Sequence, residues 1–196
     1  MANTLPGRSY AYMIGLLNQN VSVIQPTPLT SFTMIPIFWE ETLFNNIGQA
    51  ESGSAVGFGQ TEPAEFWRFD AASSTGDFAK QKGYAIEGLP KRNGRKLLGT
   101  LNDYQAVRAA CAFVRDLFER GKTSKRSILN AYAGVGFNGD QPARLAKPGA
   151  REAIVQQFLD CELALLKARS IDDVMSALQI ARPFNQVAEF RKILFP

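Results

Sequence analysis

The clearest periodic signal in the chain begins at Tyr104. Val107, Ala110, Cys111, Val114, Leu117 and Phe118 recur there at helical spacing and predict a helix over 104–120 with one buried face. Asn102 is placed to cap its start and Gly121 its end. A shorter helix follows, capped by Thr123 or Ser124, and runs through Ile128 and Leu129 to Tyr132 before Gly134 and Gly136 interrupt the pattern. After Pro148, the residues Ile154, Val155, Phe158, Leu159, Leu163, Leu165 and Leu166 predict a second long helix. Their density on more than one face points to central burial and to this helix as the hub of the domain. Ser170 with Asp173 reads as a capping box for a helix through Val174 and Leu178 that stops near Pro183. Asn185 is placed to cap a final helix through Val187, Phe190 and Leu194.

Nearer the N-terminus, Phe32, Ile35, Trp39 and Leu43 also fall at helical spacing, and a helix with Pro36 in its first turn, or with a kink there, accounts for them. Glu40 and Glu41 sit on this segment about 100° apart, so they face different ways. One of them can look to solvent while the other faces a groove, and Phe38, Trp39 and Phe44 are available as apolar neighbours. The character of the chain changes between residues 45 and 100. Gly, Ser, Thr and Asn dominate there, and Phe58, Phe66, Trp67, Phe69, Phe78 and Tyr84 stand isolated. Such a segment, loop-rich with room for a short hairpin, belongs in a compact domain chiefly when it forms working surface. Core packing is the favoured reading of Phe66, Trp67 and Phe69, with stacking on a ligand the alternative.

Composition narrows the chemistry. The chain has 196 residues, the size of one ordinary domain, and its hydrophobic content is sufficient to fill a core. It has no histidine, which argues against triad hydrolases and histidine-ligated zinc enzymes. Cys111 and Cys161 are far apart in apolar helical patterns and read as core residues, so neither a metal nor a cofactor is expected. Carboxylates, hydroxyls, tyrosines and cations remain. The net charge of +4 favours anionic partners, nucleic acid or cell-wall polymer. The first thirty residues lack the order of a secretory signal, and no run approaches the roughly 18 apolar residues of a membrane span.

Three segments carry a resemblance. Glu41-Thr42-Leu43-Phe44, then Ser54-Ala55-Val56-Gly57-Phe58-Gly59-Gln60, then Asn130-Ala131-Tyr132-Ala133-Gly134-Val135-Gly136 resemble, in order, the Glu-Ser-x-Phe, Gly-Ala-x-Gly-Leu-Met-Gln and Ala-Tyr-Asn-Ala-Gly motifs of soluble lytic transglycosylases and goose-type lysozymes. The resemblance is strongest over 30–140. There are departures: Thr42 replaces Ser, Phe58 and Gly59 replace Leu and Met, the span from Glu41 to Gln60 is one residue longer, the Asn after Tyr132 is missing, and 61–100 is extended. Glu51-Ser52-Gly53 spells the first motif more literally but lies too close to Gly57 for a helix followed by a loop.

Length and periodicity give a single mainly α domain over 1–196 (α+β at most) with C-terminal helices over 150–196, outside the matched motifs; the resemblance implies that it is lysozyme-like, with the loop-rich segment lining a cleft. The resemblance also implies cleavage of the β-1,4 bond between N-acetylmuramic acid and N-acetylglucosamine in peptidoglycan. Glu41 would be the general acid/base, with its proton retained through burial against Phe38, Trp39 and Phe44, and Glu40 would be the solvent-facing partner. By the same analogy Tyr132 would orient Glu41, Gln60 would hold the acetamido sugar, and Thr42, Phe44 and Gly57 would shape the site. Glu51 is the candidate second carboxylate, which by positioning a water would give lysozyme-like hydrolysis in place of transglycosylation. The expected partner is then a peptidoglycan strand rather than nucleic acid or an integral membrane segment. The cell wall would be reached through lysis, a phage particle or secretion machinery. The rival reading is a non-catalytic glycan-binding or structural protein that retains the groove.

Overall fold

The computed structural model describes residues 5–48, 54–93, 96–133 and 149–196. The protein is mainly helical, with helices α1 (Tyr10–Gln19), α2 (Val21–Ile24), α3 (Ser31–Thr42), α4 (Asp77–Gln81), α5 (Asp103–Glu119), α6 (Lys125–Tyr132), α7 (Ala150–Lys167), α8 (Ile171–Ala181) and α9 (Val187–Leu194). Between α3 and α5 the chain makes tight turns at Pro63–Arg68 and Ser74–Gly76, then a hairpin of β1 (Arg92–Asn93) and β2 (Lys96–Leu97) with Arg92 opposite Leu97. Among the described residues no helix is long and apolar enough to cross a membrane.

Local signals explain most boundaries. Asn102 and Gln105 form a reciprocal capping box on α5, Ser124 and Ser127 one on α6, and Ser170 and Asp173 one on α8. Gly121 after α5 has φ +91°, the left-handed conformation that favours glycine. Within residues 5–29, where the sequence pattern predicts no element, the chain forms α1 and α2. Met13, Leu16 and Leu17 give α1 its buried face, and the side chain of Ser9 caps it.

Three expectations are corrected. The final helix is entered through Gln186 without a side-chain cap, because Asn185 stands one residue too early to reach the first free N–H groups. Pro36 lies in the interior of α3, not its first turn, so the Phe32 carbonyl cannot receive the usual N–H from that position. The long helix α7 is not buried on more than one face, although it packs on α3, α6 and α8; the centrally buried helix is α3, where residues 33–39 are all buried. On α7, Leu163 and Leu166 are 52% and 55% exposed, and one stripe through Val155, Phe158, Cys161 and Leu165 does the packing.

A carboxylate sets α3 in place. Glu162 of α7 is 3% exposed and points at the N-terminus of α3. Its Oε1 accepts from the hydroxyls of Thr33 at 2.6 Å and Thr30 at 3.1 Å, and Lys125 of α6 reaches both carboxylate oxygens at 2.7 Å. The two hydroxyl oxygens in turn accept backbone N–H groups, Thr33 from Thr30 and Thr30 from Thr33, completing the capping box of α3. A negative charge at a helix N-terminus is also favoured by the helix dipole. Glu162→Ala is expected to lower unfolding free energy by about 3 kcal/mol in urea denaturation, at the low end for a broken buried pair because Lys125 can regain water. A loss below about 1 kcal/mol would contradict this placement.

Candidate functional site

Residues 54–61 form a tight loop that sits between α3, α5 and α6. Val56 and Thr61 pair across it with two 3.0 Å backbone bonds, and Gly57 N–H donates to the Ile47 carbonyl at 2.9 Å. Gly57 has φ +78°, and a methyl there would meet the Ala106 side chain of α5 at 3.0 Å. A methyl on Gly59 would overlap the Tyr132 hydroxyl and lie 3.0 Å from Ala110 and 3.1 Å from the Phe38 ring. The alanines of α5 thus make room for the loop, and the glycines let it approach.

Hydroxyls from two helices fix the loop's carbonyls. Thr42 Oγ1 lies 3.1 Å from the Phe38 carbonyl of its own helix and 3.0 Å from the Phe58 carbonyl, to which its proton is shared. Tyr132 of α6 donates to the Gly59 carbonyl at 2.6 Å. Gln60, with φ +47°, turns its amide nitrogen back onto the carbonyls of Gly57 at 3.0 Å and Ile47 at 3.2 Å. Phe58 is fully buried, its ring 6.1 Å from that of Phe38.

Glu41 lies in the last turn of α3, half-buried. Phe38, three residues back, shares its side of the helix, being about 60° away. The Tyr132 hydroxyl is held well above the usual tyrosine range, first by burial; Thr61 opposes this, while the Glu41 charge and then Cys111 push further upward. Glu41 and Tyr132 therefore lie within electrostatic reach of each other. The proton of Tyr132, however, is given to Gly59, and the amide nitrogen of Gln60 serves its own turn. Glu51 and residues Gly134–Gly136 of the third motif lie outside the described residues.

The apolar wall is only partly as expected. Trp39 is about 200° from Glu41 round the helix and faces the other way. Its ring contacts Phe44 at 5.1 Å, Phe184 at 5.6 Å and Phe190 at 5.9 Å, and its indole N–H donates to the Arg182 carbonyl at 3.3 Å. Phe44 joins that cluster, leaving Phe38 beside Glu41. A cavity of ≈ 290 Å³ beside Leu43, Arg182 and Phe184 is also on the Trp39 side. Glu40 is not the solvent-facing partner either: it is half-buried, and its backbone carbonyl accepts from Arg182 at 2.8 Å. Phe66 and Phe69 are buried against each other at 5.4 Å, whereas Trp67 is 39% exposed with the Arg68 guanidinium 5.1 Å from its ring.

Backbone strain marks the same place. Leu43 (φ +52°), Phe44 (φ +58°) and Gln60 (φ +47°) are the non-glycine residues with positive φ among the described residues, and all three border the site. Each such residue costs about 1–3 kcal/mol and persists only where the surroundings hold it. Asp103, which sequence reasoning did not single out, ties neighbouring segments together: it accepts from Arg8 at 2.7 Å, Asn46 at 2.9 Å and Tyr12 at 3.1 Å. Its position at the first turn of α5 after the Asn102 cap was the available signal. Burial pushes its carboxyl upward, but the Arg8 and Asn46 hydrogen bonds, the Arg8 charge and Tyr12 outweigh this and hold it below the usual carboxylate value. No family model, curated protein or solved structure significantly matches the chain.

Two outcomes follow from this geometry. Tyr132→Phe leaves the Gly59 carbonyl buried without its donor and is expected to cost about 1–3 kcal/mol in urea denaturation, whereas a change under about 0.5 kcal/mol would contradict the assignment. Because the folded Asp103 value is depressed, its contribution is full above the unfolded value of about 3.9 and is lost as pH falls through the folded value. The Tm gap between wild type and Asp103→Asn should therefore close as the medium is acidified below about pH 4, and a gap independent of pH would contradict it.

Proposed function

We propose that the protein is a lysozyme-like glycosidase that cleaves the β-1,4 bond between N-acetylmuramic acid and N-acetylglucosamine in peptidoglycan. Glu41 is its single general acid/base. The observation that carries this reading is the meeting of three sequence-distant segments: the last turn of α3 with Glu41, the Gly57–Gln60 loop, and Tyr132 within the field of the Glu41 charge. A general acid must hold its proton until the leaving oxygen needs it.

In the first step Glu41 gives its proton to the glycosidic oxygen as the C1–O bond breaks, while the substrate's acetamido oxygen closes on C1. In the second, the Glu41 carboxylate takes the proton of the muramic 6-hydroxyl. That oxygen attacks C1, releasing the acetamido group and forming a 1,6-anhydro ring. Tyr132, Thr42 and Gln60 act by holding the loop that forms the wall beside Glu41. The net positive charge suits an anionic wall polymer. A second reading, a glycan-binding protein without turnover, draws on the fact that the Tyr132 proton and the Gln60 amide nitrogen are both committed to the loop.

Glu41→Gln is isosteric and is expected to leave circular dichroism and Tm unchanged while wall-degrading activity falls about 10²–10⁴-fold. A variant that clears peptidoglycan suspensions at the wild-type rate would sink the assignment of Glu41.

A further inference from the structure

The last turn of α3 is held from outside the helix. Its final carbonyls have no partner within the helix and would otherwise fray. Beyond them the chain passes through two consecutive left-handed residues, Leu43 and Phe44, a conformation that bulky side chains resist. The Asn45 side-chain amide spans this turn. Its Nδ2 donates to the Thr42 carbonyl at 2.8 Å, to Leu5 at 3.1 Å and to Leu43 at 3.3 Å, and its backbone N–H also reaches Thr42 at 3.1 Å.

The Leu5–Ser9 segment braces it from the other side. Gly7 N–H donates to the Leu43 carbonyl at 3.0 Å. A methyl at Gly7 would overlap the Asn45 amide and lie 2.8 Å from the Phe44 carbonyl, so the close approach depends on glycine. The segment is itself anchored where Arg8 meets Asp103, which also takes the Asn46 amide. Glu41 directly precedes Thr42, whose carbonyl is the shortest of these contacts. Anything that loosens that carbonyl moves the carboxyl. A general acid works within hydrogen-bond reach of the leaving oxygen, and a misplacement of about 1 Å costs on the order of 10²-fold in rate.

We infer that Asn45 is a positioning residue for Glu41: its amide, braced by the Leu5–Ser9 segment, locks the last turn of α3 and so the direction in which the carboxyl is presented. This rests on Glu41 being the acid of the reaction above. The test uses the full chain with Asn45→Ala and, because that variant removes three contacts at once, Gly7→Ala, which displaces the amide from a surface segment. Each is expected to lower kcat on purified peptidoglycan about 10- to 100-fold with KM within about twofold, and to displace the acidic limb of the pH–kcat profile. Loss of fold stability alone would not move that limb. Carbon-13 NMR titration of the glutamate carboxyls, with Glu41 assigned from Glu41→Gln, is expected to show its midpoint displaced in both variants.

Gly7→Ala decides if Asn45→Ala does not fold. An unchanged kcat, pH profile and Glu41 titration in the folded variants would overturn the inference. A wild-type protein without glycosidase activity would instead contradict the acid reading, and the Glu41 titration would then decide alone: displaced supports positioning, unmoved overturns it.

Discussion

The carboxylate of Glu162 is the interaction on which the arrangement of the helices most depends. Taking a charge out of water is costly, and it is tolerated here because Lys125 and two threonine hydroxyls surround it at the positive end of a helix. Those partners come from three places in the chain. Thr30 and Thr33 begin α3, Lys125 begins α6, and Glu162 lies on α7. The same contact therefore fixes both helices that carry the candidate chemistry, Glu41 at the far end of α3 and Tyr132 at the far end of α6. An apolar pair of equal volume would pack the helices, but it would not specify which ends meet.

The other end of α3 is constrained by different means. Thr42 reaches across to the Phe58 carbonyl, Tyr132 to that of Gly59, and Asn45 back to the helix end. Between them these bonds hold three non-glycine residues in the left-handed region. Strain of this kind is retained only where surrounding contacts over-determine the backbone, and it is found preferentially at functional sites. The Phe38 side of α3 packs on the loop through Phe58, while the Trp39 side packs on an aromatic cluster with α9 and borders the cavity beside Leu43 and Phe184. One helix thus packs on different partners on its two sides, with Glu41 on the side of the loop.

Much of the fold was legible because it is written locally. The boundaries of α5, α6 and α8 follow from caps and spacing within a few residues, and the hairpin at Arg92–Leu97 lies inside the segment marked as loop-rich. What periodicity could not decide was which of two apolar faces finds a partner. Leu163 and Leu166 continue the pattern of α7 yet remain exposed, because α3 and α8 cover only the opposite stripe. Trp39 and Glu41 are close in sequence but opposed in space, which a helix wheel makes plain once the helix is granted. The site was legible as a set of residues and not as a set of bonds. A hydroxyl proton has one destination, and whether Tyr132 offers it to a glutamate or to a loop carbonyl is settled by where α6 and the loop come to rest. Glu162 left no periodic trace at all, since a buried acid among leucines looks like any surface position until its partners are known.

The central claim is that this geometry breaks glycosidic bonds. Its most direct test is digestion of purified peptidoglycan sacculi with the wild-type protein, followed by mass spectrometry of the soluble fragments. The account predicts muropeptides ending in 1,6-anhydro-N-acetylmuramic acid. Sacculi left intact, with no soluble glycan fragments released, would contradict it.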